Sequence, residues 1–171
     1  MIVIYFILGL LVALLVIALV SPSNYLVEKS TVINRPANDV YMKVADLNNY
    51  RKWNPWQQSD PTAEATITGA PDSIGHKYAW VGKKVGVGSL TLANRNTNQS
   101  VHFRIEFIKP FNAKADDSWT FTTENGQTKV NWRNSGDLPF PIARLMGPVL
   151  KKNLNQQFEA GLVNLKKLCE G

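Results

Sequence analysis

The chain has 171 residues, 44% of them hydrophobic, and its 19 Lys and Arg against 13 Asp and Glu give a net charge of +6. One cysteine excludes an internal disulfide, and with only two histidines, far apart in the sequence, it does not provide the ligand spacing of a metal site. The basic residues occur as scattered pairs without a recognition motif, which argues against nucleic-acid binding.

The first predicted element is a membrane-spanning helix. Residues 1–20, "MIVIYFILGLLVALLVIALV", carry no charged side chain, and at a rise of about 1.5 Å per residue they would cross a hydrocarbon core of about 30 Å. A cleaved signal peptide is the alternative, but no Lys or Arg precedes Lys29 and the apolar run lacks a good cleavage site. We therefore expect a transmembrane anchor over residues 1–21, in a single-pass membrane protein.

The charges that flank the anchor predict its orientation. Lys29, Arg35 and Lys43 follow it, whereas no basic residue precedes it. By the positive-inside rule, this favours a cytoplasmic soluble domain. The basic domain would suit anionic headgroups, although a solvated surface that happens to be basic is an equally good interpretation.

The soluble domain, residues 24–171, is predicted to be α+β. Residues 25–33 alternate like a strand, and Pro36 begins a short helix. About six strand-like segments follow, and their short turns rich in Gly, Pro, Asn and Asp predict an antiparallel meander. Leu and Phe then recur every three or four positions, which predicts an amphipathic helix from about 148 to 169.

The segment "NYLVEKSTVINRPANDVYMKVADLNNYRKWNPW" resembles the opening of the START-like (Bet v 1-like, SRPBCC) superfamily, in its polyketide cyclase/dehydrase-like bacterial branch. The shared pattern is Ile-x-x-Pro-Ala, Val-Tyr-x-x-Val-x-Asp and Tyr-x-x-Trp-Asn-Pro-Trp. The resemblance extends over residues 24–171 and implies a ligand-binding domain of helix-grip fold. In this fold a curved antiparallel sheet wraps the long C-terminal helix, and the two enclose an elongated apolar cavity. The resemblance to a bacterial branch also implies that the anchor lies in a bacterial inner or cytoplasmic membrane. Val87 departs from the pattern, since relatives often carry an acidic residue there.

Strand alternation indicates which side chains would line such a cavity. One face of the meander is aromatic and aliphatic, whereas the other carries His102, Arg104 and Glu106. The candidate ligand-binding residues are Trp56, His76, Tyr78, Trp80, Phe103, Ile105, Trp119, Phe121, Trp132 and Phe158. A packed core built from the same face is the alternative interpretation.

His76 is the one weak candidate for a catalytic role, because it is in phase with the apolar set. The alternative is a strand-end histidine near solvent, since Gly75 precedes it. Asp116 and Asp117 are adjacent, so they would point to opposite faces, and we interpret them as a solvated strand start. "GKKVGVGS" matches neither the phosphate-binding nor the dinucleotide motif, and no cofactor is expected.

Two short segments are expected to border the cavity. In "WNPW", Trp53 would pack on the preceding helix, Pro55 would fix the turn and Trp56 would lie near the mouth. The apolar residues of "LPFPIARLMGP" would either form a gate or pack under the long helix.

These features favour a membrane-anchored module that binds a hydrophobic small molecule or lipid in an internal cavity. The alternative is an enzyme of the cyclase/dehydratase type that acts on an apolar substrate in the same cavity. A protein-interaction module with a filled core is a third interpretation. The sequence predicts neither the ligand nor the oligomeric state.

Overall fold

The computed structural model describes residues 2–171, and its first element is helix α1, Ile2–Val20. Its side chains are exposed except for Ala18, which is fully buried. By length and composition, α1 is the one helix among the described residues that is long and apolar enough to cross a membrane. Ser21 continues the last turn by donating from its amide to the carbonyl oxygen of Ile17.

Seven strands of the described chain form one antiparallel sheet, in the spatial order β1-β7-β6-β5-β4-β3-β2. Strands β2 to β7 form the predicted meander, and β1 pairs with the last of them. Their bounds are β1 Asn24–Ile33, β2 Glu64–Thr68, β3 Lys77–Gly82, β4 Gly86–Asn96, β5 Ser100–Lys109, β6 Ala113–Glu124 and β7 Gln127–Asp137. Asn125 and Gly126 both have positive φ in the β6–β7 turn, as an Asn-Gly hairpin requires.

Four further helices pack on one face of this sheet. Three short ones connect β1 to β2, and a long one ends the chain. Their bounds are α2 Ala37–Ala45, α3 Tyr50–Trp53, α4 Pro55–Ser59 and α5 Ile142–Glu170, with a 3-10 turn at Leu47–Asn49. The predicted start of α5 at Pro148 is wrong, because the turns before the proline are held by packing: Gly147 is buried against Leu138.

Helix α5 packs most closely on β1 and also contacts α2, α3 and α4. Gly161 allows this approach, because a Cβ atom there would lie 2.8 Å from the Trp132 ring and 3.2 Å from Pro55. The curved sheet therefore wraps around α5 and the short helices, which pack together on its one covered face. The predicted α+β helix-grip fold is confirmed.

Candidate functional site

The centre of the molecule is an aromatic stack between the sheet and α5. Trp119 and Trp132 are directly opposite each other on β6 and β7, and their rings stack with centroids 4.4 Å apart. Phe158 of α5 lies flat on the other face of Trp132, at 3.8 Å. All three side chains are buried, with no more than 2% of their surface exposed. Strand alternation brings the two tryptophans to the inner face, and the helical period places Phe158 above them.

The WNPW segment closes this stack from the side. Trp53 is buried with its edge against both Trp119 and Trp132, and its indole N–H donates to the carbonyl oxygen of Lys43 at 3.0 Å. It therefore packs back on α2, as expected. Trp56 is half-buried and lies edge-on to Trp132 and Phe158. Of the two tryptophans, Trp56 is the one that borders solvent.

A buried carboxyl group lies on the inner face of the sheet, below this stack. Asp117 is only 4% exposed and accepts three hydrogen bonds. The indole N–H groups of Trp119 and Trp132 donate at 2.8 Å to Oδ2 and Oδ1, and the Asn134 side-chain amide donates to Oδ1 at 3.0 Å. Burial raises the pKa of Asp117 to about 6, although the three donors act in the opposite direction.

Two tyrosines, Tyr25 and Tyr50, lie near Asp117 in the interior. The Tyr25 hydroxyl donates to Oδ1 of Asn134 at 2.8 Å, which links it to Asp117. Tyr50 lies edge-on to Trp53 and Tyr78, and burial together with the charge of Asp117 raises its pKa well above the ordinary value. The charge of Asp117 thus adds to the effect of burial on the pKa of Tyr50.

The interpretation of Asp116 and Asp117 as a solvated strand start is wrong for Asp117. Their side chains do point to opposite faces, and Asp116 is exposed on the outer face. The sequence feature that predicts burial of Asp117 is its position in β6: it alternates together with Trp119 and Phe121, so it points to the same inner face. Sequence reasoning also missed Tyr25, Tyr50 and Asn134.

His76 is fully buried, so the expectation of a strand-end histidine near solvent is wrong. Its Nε2 accepts from the backbone N–H of Leu47 at 3.0 Å, which places the ring proton on Nδ1, and Nδ1 donates to the carbonyl oxygen of Thr68 at 3.0 Å. The ring therefore joins the 3-10 turn to β2, and neither nitrogen is free to act on a ligand.

The remaining predicted residues all lie on the inner face but are spread along the sheet. Phe121 is at one end, with its ring edge-on to Tyr41. Tyr78 and Trp80 are at the other end, where the Trp80 indole lies over Gly88. Phe103 is buried between the two ends, and Ile105 is half-buried. The structure thus brings Trp56, Trp119, Trp132 and Phe158 into contact, and the others extend the same apolar surface.

The elongated cavity is expected between α5 and the inner face of the sheet. Stacked rings occupy the space between α5 and the centre of the sheet. Two concavities formed by residues 2–171, of about 490 and 240 Å³, lie on the outer face of the sheet. The larger is lined by Glu28, His102, Asp116, Ser118, Thr120, Asn131, Arg133 and Ser135.

The outer concavity contains a Ser-His-Asp set that the sequence did not reveal. Ser118 Oγ lies 3.0 Å from Nδ1 of His102, and Asp116 lies 3.2 Å from Nε2. All three are partly solvent-exposed on an open sheet. The backbone N–H groups of these central strands are used in the ladder, so the surface offers no oxyanion hole. Among residues 2–171, no cluster of His, Cys, Asp and Glu has the arrangement of a metal site.

Comparison with solved structures supports the fold. The chain is similar to protein CV1439 from Chromobacterium violaceum, at 12% identity and a TM-score of 0.64, over 85% of this chain and 97% of that one. It is also similar to the Aha1 dimer from Colwellia psychrerythraea, at 15% identity and a TM-score of 0.61, over 85% and 96% of the two chains. CalU16 from Micromonospora echinospora matches at 9% identity and a TM-score of 0.53, over 83% and 75%.

A comparison with curated proteins found no match. A family model described as polyketide cyclase/dehydrase and lipid transport, however, matches residues 26–170. This range contains every strand except the first residues of β1, the aromatic stack and Asp117. The predicted resemblance to the START-like superfamily is confirmed, and the chain belongs to its polyketide cyclase/dehydrase and lipid transport family.

Proposed function

We propose that the chain is a membrane-anchored module that binds a hydrophobic small molecule or lipid between α5 and the inner face of the sheet. The observation that carries this proposal is the carboxyl group of Asp117 at the centre of an aromatic interior. Ligand sites are mostly apolar, with a few convergent polar groups that orient the ligand. A buried ionisable group among packed rings disfavours folding, which is typical of functional positions.

The free acceptor positions of Asp117 specify the ligand further. Its Oδ1 accepts two hydrogen bonds and its Oδ2 accepts one. A carboxylate has about four acceptor positions, so Oδ2 keeps one for a donor on the ligand. The ligand is then a mostly apolar molecule with one hydroxyl or amine group.

Entry requires displacement of the half-buried side chain of Trp56. This residue lies on α4, a helix of five residues whose first turn is capped by Asn54, which accepts from the Trp56 amide at 2.9 Å. Moving the Trp56 ring outwards uncovers the edges of Trp132 and Phe158. The aromatic surface would then contact the ligand in place of Trp56.

The second candidate function is an enzyme of the cyclase/dehydratase type. It is favoured by the pKa of about 6 at Asp117, which suits proton transfer near neutral pH. In this case Asp117, and not His76, is the acid or base, because both ring nitrogens of His76 are already hydrogen-bonded.

The test is to extract the full chain in mild detergent, identify co-purifying small molecules by mass spectrometry and measure binding of a fluorescent fatty-acid probe. We expect Trp56→Ala to strengthen probe binding about tenfold, which corresponds to about 1.4 kcal/mol, because the side chain that must be displaced for entry is gone. Phe111→Ala is the matched control, since this aromatic side chain is 80% exposed. A protein that co-purifies with nothing and does not bind the probe would contradict the proposal.

The same preparation separates binding from catalysis. A carrier returns the identified ligand unchanged from the wild-type chain and from Asp117→Asn. An enzyme converts it in the wild type only, with the variant still binding. Circular dichroism of both proteins checks that Asp117→Asn keeps the fold.

A further inference from the structure

An apolar patch interrupts the polar surface of the protein where α5 begins. Ile142, Met146 and Val149 follow one another at helical spacing and are 74%, 52% and 50% exposed. Phe140, 45% exposed, precedes them, and Arg144 lies over its ring at 5.6 Å. We refer to these four apolar residues as the α5 patch. Soluble surfaces seldom expose such contiguous apolar side chains without a partner.

The patch adjoins the end of α1. The chain leaves α1 at Val20, and the carbonyl oxygen of Ser23 accepts from the amide of Leu138 at 2.7 Å, two residues before the patch begins. Helix α1 also contacts α5 directly, and Ala18 in its last turn is fully buried. The part of α5 that lies beside this turn is therefore level with the end of α1.

The length of α1 fixes that level relative to a bilayer. Its 19 residues extend for about 28 Å, close to the hydrocarbon thickness of about 30 Å. If α1 spans the bilayer, its last turn lies at the boundary between acyl chains and headgroups. The first turns of α5 follow Leu138, whose amide is bonded to Ser23 just after α1, so they lie at this boundary too.

The rest of α5 leads away from the boundary and becomes polar. Lys151 and Lys152 follow the patch and are exposed, as basic residues at headgroup level would be. Near the other end of the helix, Lys166 donates to the carbonyl oxygen of Val32, at the end of β1 farthest from α1. The exposed apolar residues of α5 are thus concentrated where the helix is nearest to α1.

We propose that the α5 patch inserts into the bilayer that holds α1, as a second, interfacial membrane contact of the soluble domain. The proposal rests on the proposed anchoring by α1. Membrane-surface helices bury an apolar face in the headgroup and acyl boundary and keep basic residues beside it, as this segment does. The occupant of the patch is the lipid bilayer itself.

Insertion of the patch would also connect the bilayer with the interior of the domain, along one ridge of α5. Met146, Leu150, Leu154 and Phe158 are spaced by four residues along one ridge of α5. Their exposure decreases from 52% at Met146, through half-buried Leu150 and Leu154, to 1% at Phe158 in the aromatic stack. A ligand dissolved in the bilayer would therefore meet continuous apolar surface on its way to the proposed site.

Depth-dependent fluorescence quenching tests the proposal in the full chain. Cys169 is replaced by Ser, and single cysteines at Leu19, Met146 or Val163 are labelled with an environment-sensitive fluorophore in vesicles of phosphatidylcholine and phosphatidylglycerol. Val163 is the matched control, because it is 48% exposed on the same helix but about 25 Å farther along it. We expect lipids with a nitroxide near the headgroup to quench the Met146→Cys probe at least about twofold more than the Val163→Cys probe.

The three positions separate the two proposals. Quenching at Leu19 and Met146 but not at Val163 supports the insertion of the patch. Quenching at Leu19 alone overturns it and leaves the anchor intact. A Leu19 probe that lipids do not quench contradicts the anchor and the insertion together. Disulfide cross-linking between Met146→Cys chains without lipid quenching also overturns the proposal, because it shows that a second copy covers the patch.

Discussion

At the scale of single residues, Asp117 makes the free energy of unfolding depend on pH. Its raised pKa means that the folded state holds this proton more tightly than the unfolded chain does, where the ordinary value is 3.8. The free energy of unfolding contributed by Asp117 is therefore fully present below about pH 4 and is lost as pH rises towards 6. The change amounts to about 3 kcal/mol.

We predict that Asp117→Asn removes this pH dependence. The difference in free energy of unfolding between wild type and variant, measured by denaturant titration in detergent from pH 4 to pH 7, should shift in favour of the variant as pH rises. The comparison cancels the other acidic groups, which are common to both proteins. A difference that does not change over this range would show that Asp117 is not buried as a carboxyl group.

His76 illustrates a buried side chain with a structural role. We predict that His76→Phe lowers the free energy of unfolding by about 2–4 kcal/mol, because the amide of Leu47 and the carbonyl of Thr68 lose their buried partner. His102→Phe is the control. It removes contacts to Ser118 and Asp116 on a partly exposed surface and should cost no more than about 0.5 kcal/mol. Equal losses in the two variants would contradict the structural role of His76.

At the scale of elements, the contact of α5 with the sheet depends on the absence of a side chain at Gly161. A Cβ atom there would lie 2.8 Å from the Trp132 ring, which is stacked between Trp119 and Phe158 and cannot move aside. The helix therefore approaches the aromatic stack closely enough for Phe158 to lie flat on Trp132. A wider spacing would separate these rings.

We predict that Gly161→Val destabilises the fold by about 1–3 kcal/mol, through overpacking against Trp132 and Pro55. The neighbouring Ala160 is exposed, so Ala160→Val should cost only about 0.5 kcal/mol, the difference in helix propensity. Thermal unfolding followed by circular dichroism measures both effects. A Gly161→Val protein as stable as Ala160→Val would show that α5 does not pack closely at this point.

At the scale of the whole molecule, the buried hydrophobic core lies almost entirely outside α1. Every buried hydrophobic residue of the described chain other than Ala18 belongs to residues 25–165. Helix α1 contributes almost nothing to that core. We therefore propose that residues 1–21 and 24–171 are separate units, joined by the short segment that ends at Ser23.

We predict that residues 24–171 fold without α1. Circular dichroism should show the strand content of the full chain and its helix content less the 19 residues of α1, with one cooperative thermal transition. The exposed α5 patch is expected to cause association of this shortened protein in water, and Met146→Asp should reduce it. A shortened chain that unfolds without cooperativity, even with Met146→Asp, would contradict the division.

Local patterns in the sequence were sufficient for the fold and for most of its elements. Alternation in residues 25–33, turn residues such as Asn125 and Gly126, and the period of α5 each depend on near neighbours, so they can be read along the chain. The family resemblance around "WNPW" implied the same order of elements, and the family model matches residues 26–170. The start of α5 was missed because a proline normally interrupts a helix, so the residues before Pro148 were not assigned to it. In the structure the helix includes them, since they pack on Leu138.

The sequence by itself determined the apolar N-terminal helix, the α+β architecture and the inner face of the sheet, because these follow from composition and period. Only the tertiary structure decided which side chains meet on that face. Strand pairing brought Asn134 beside Asp117, and helix packing brought Phe158 onto Trp132. Both contacts join residues distant in the chain, and no local pattern encodes which partners meet across a sheet or how completely their rings fill the space between them.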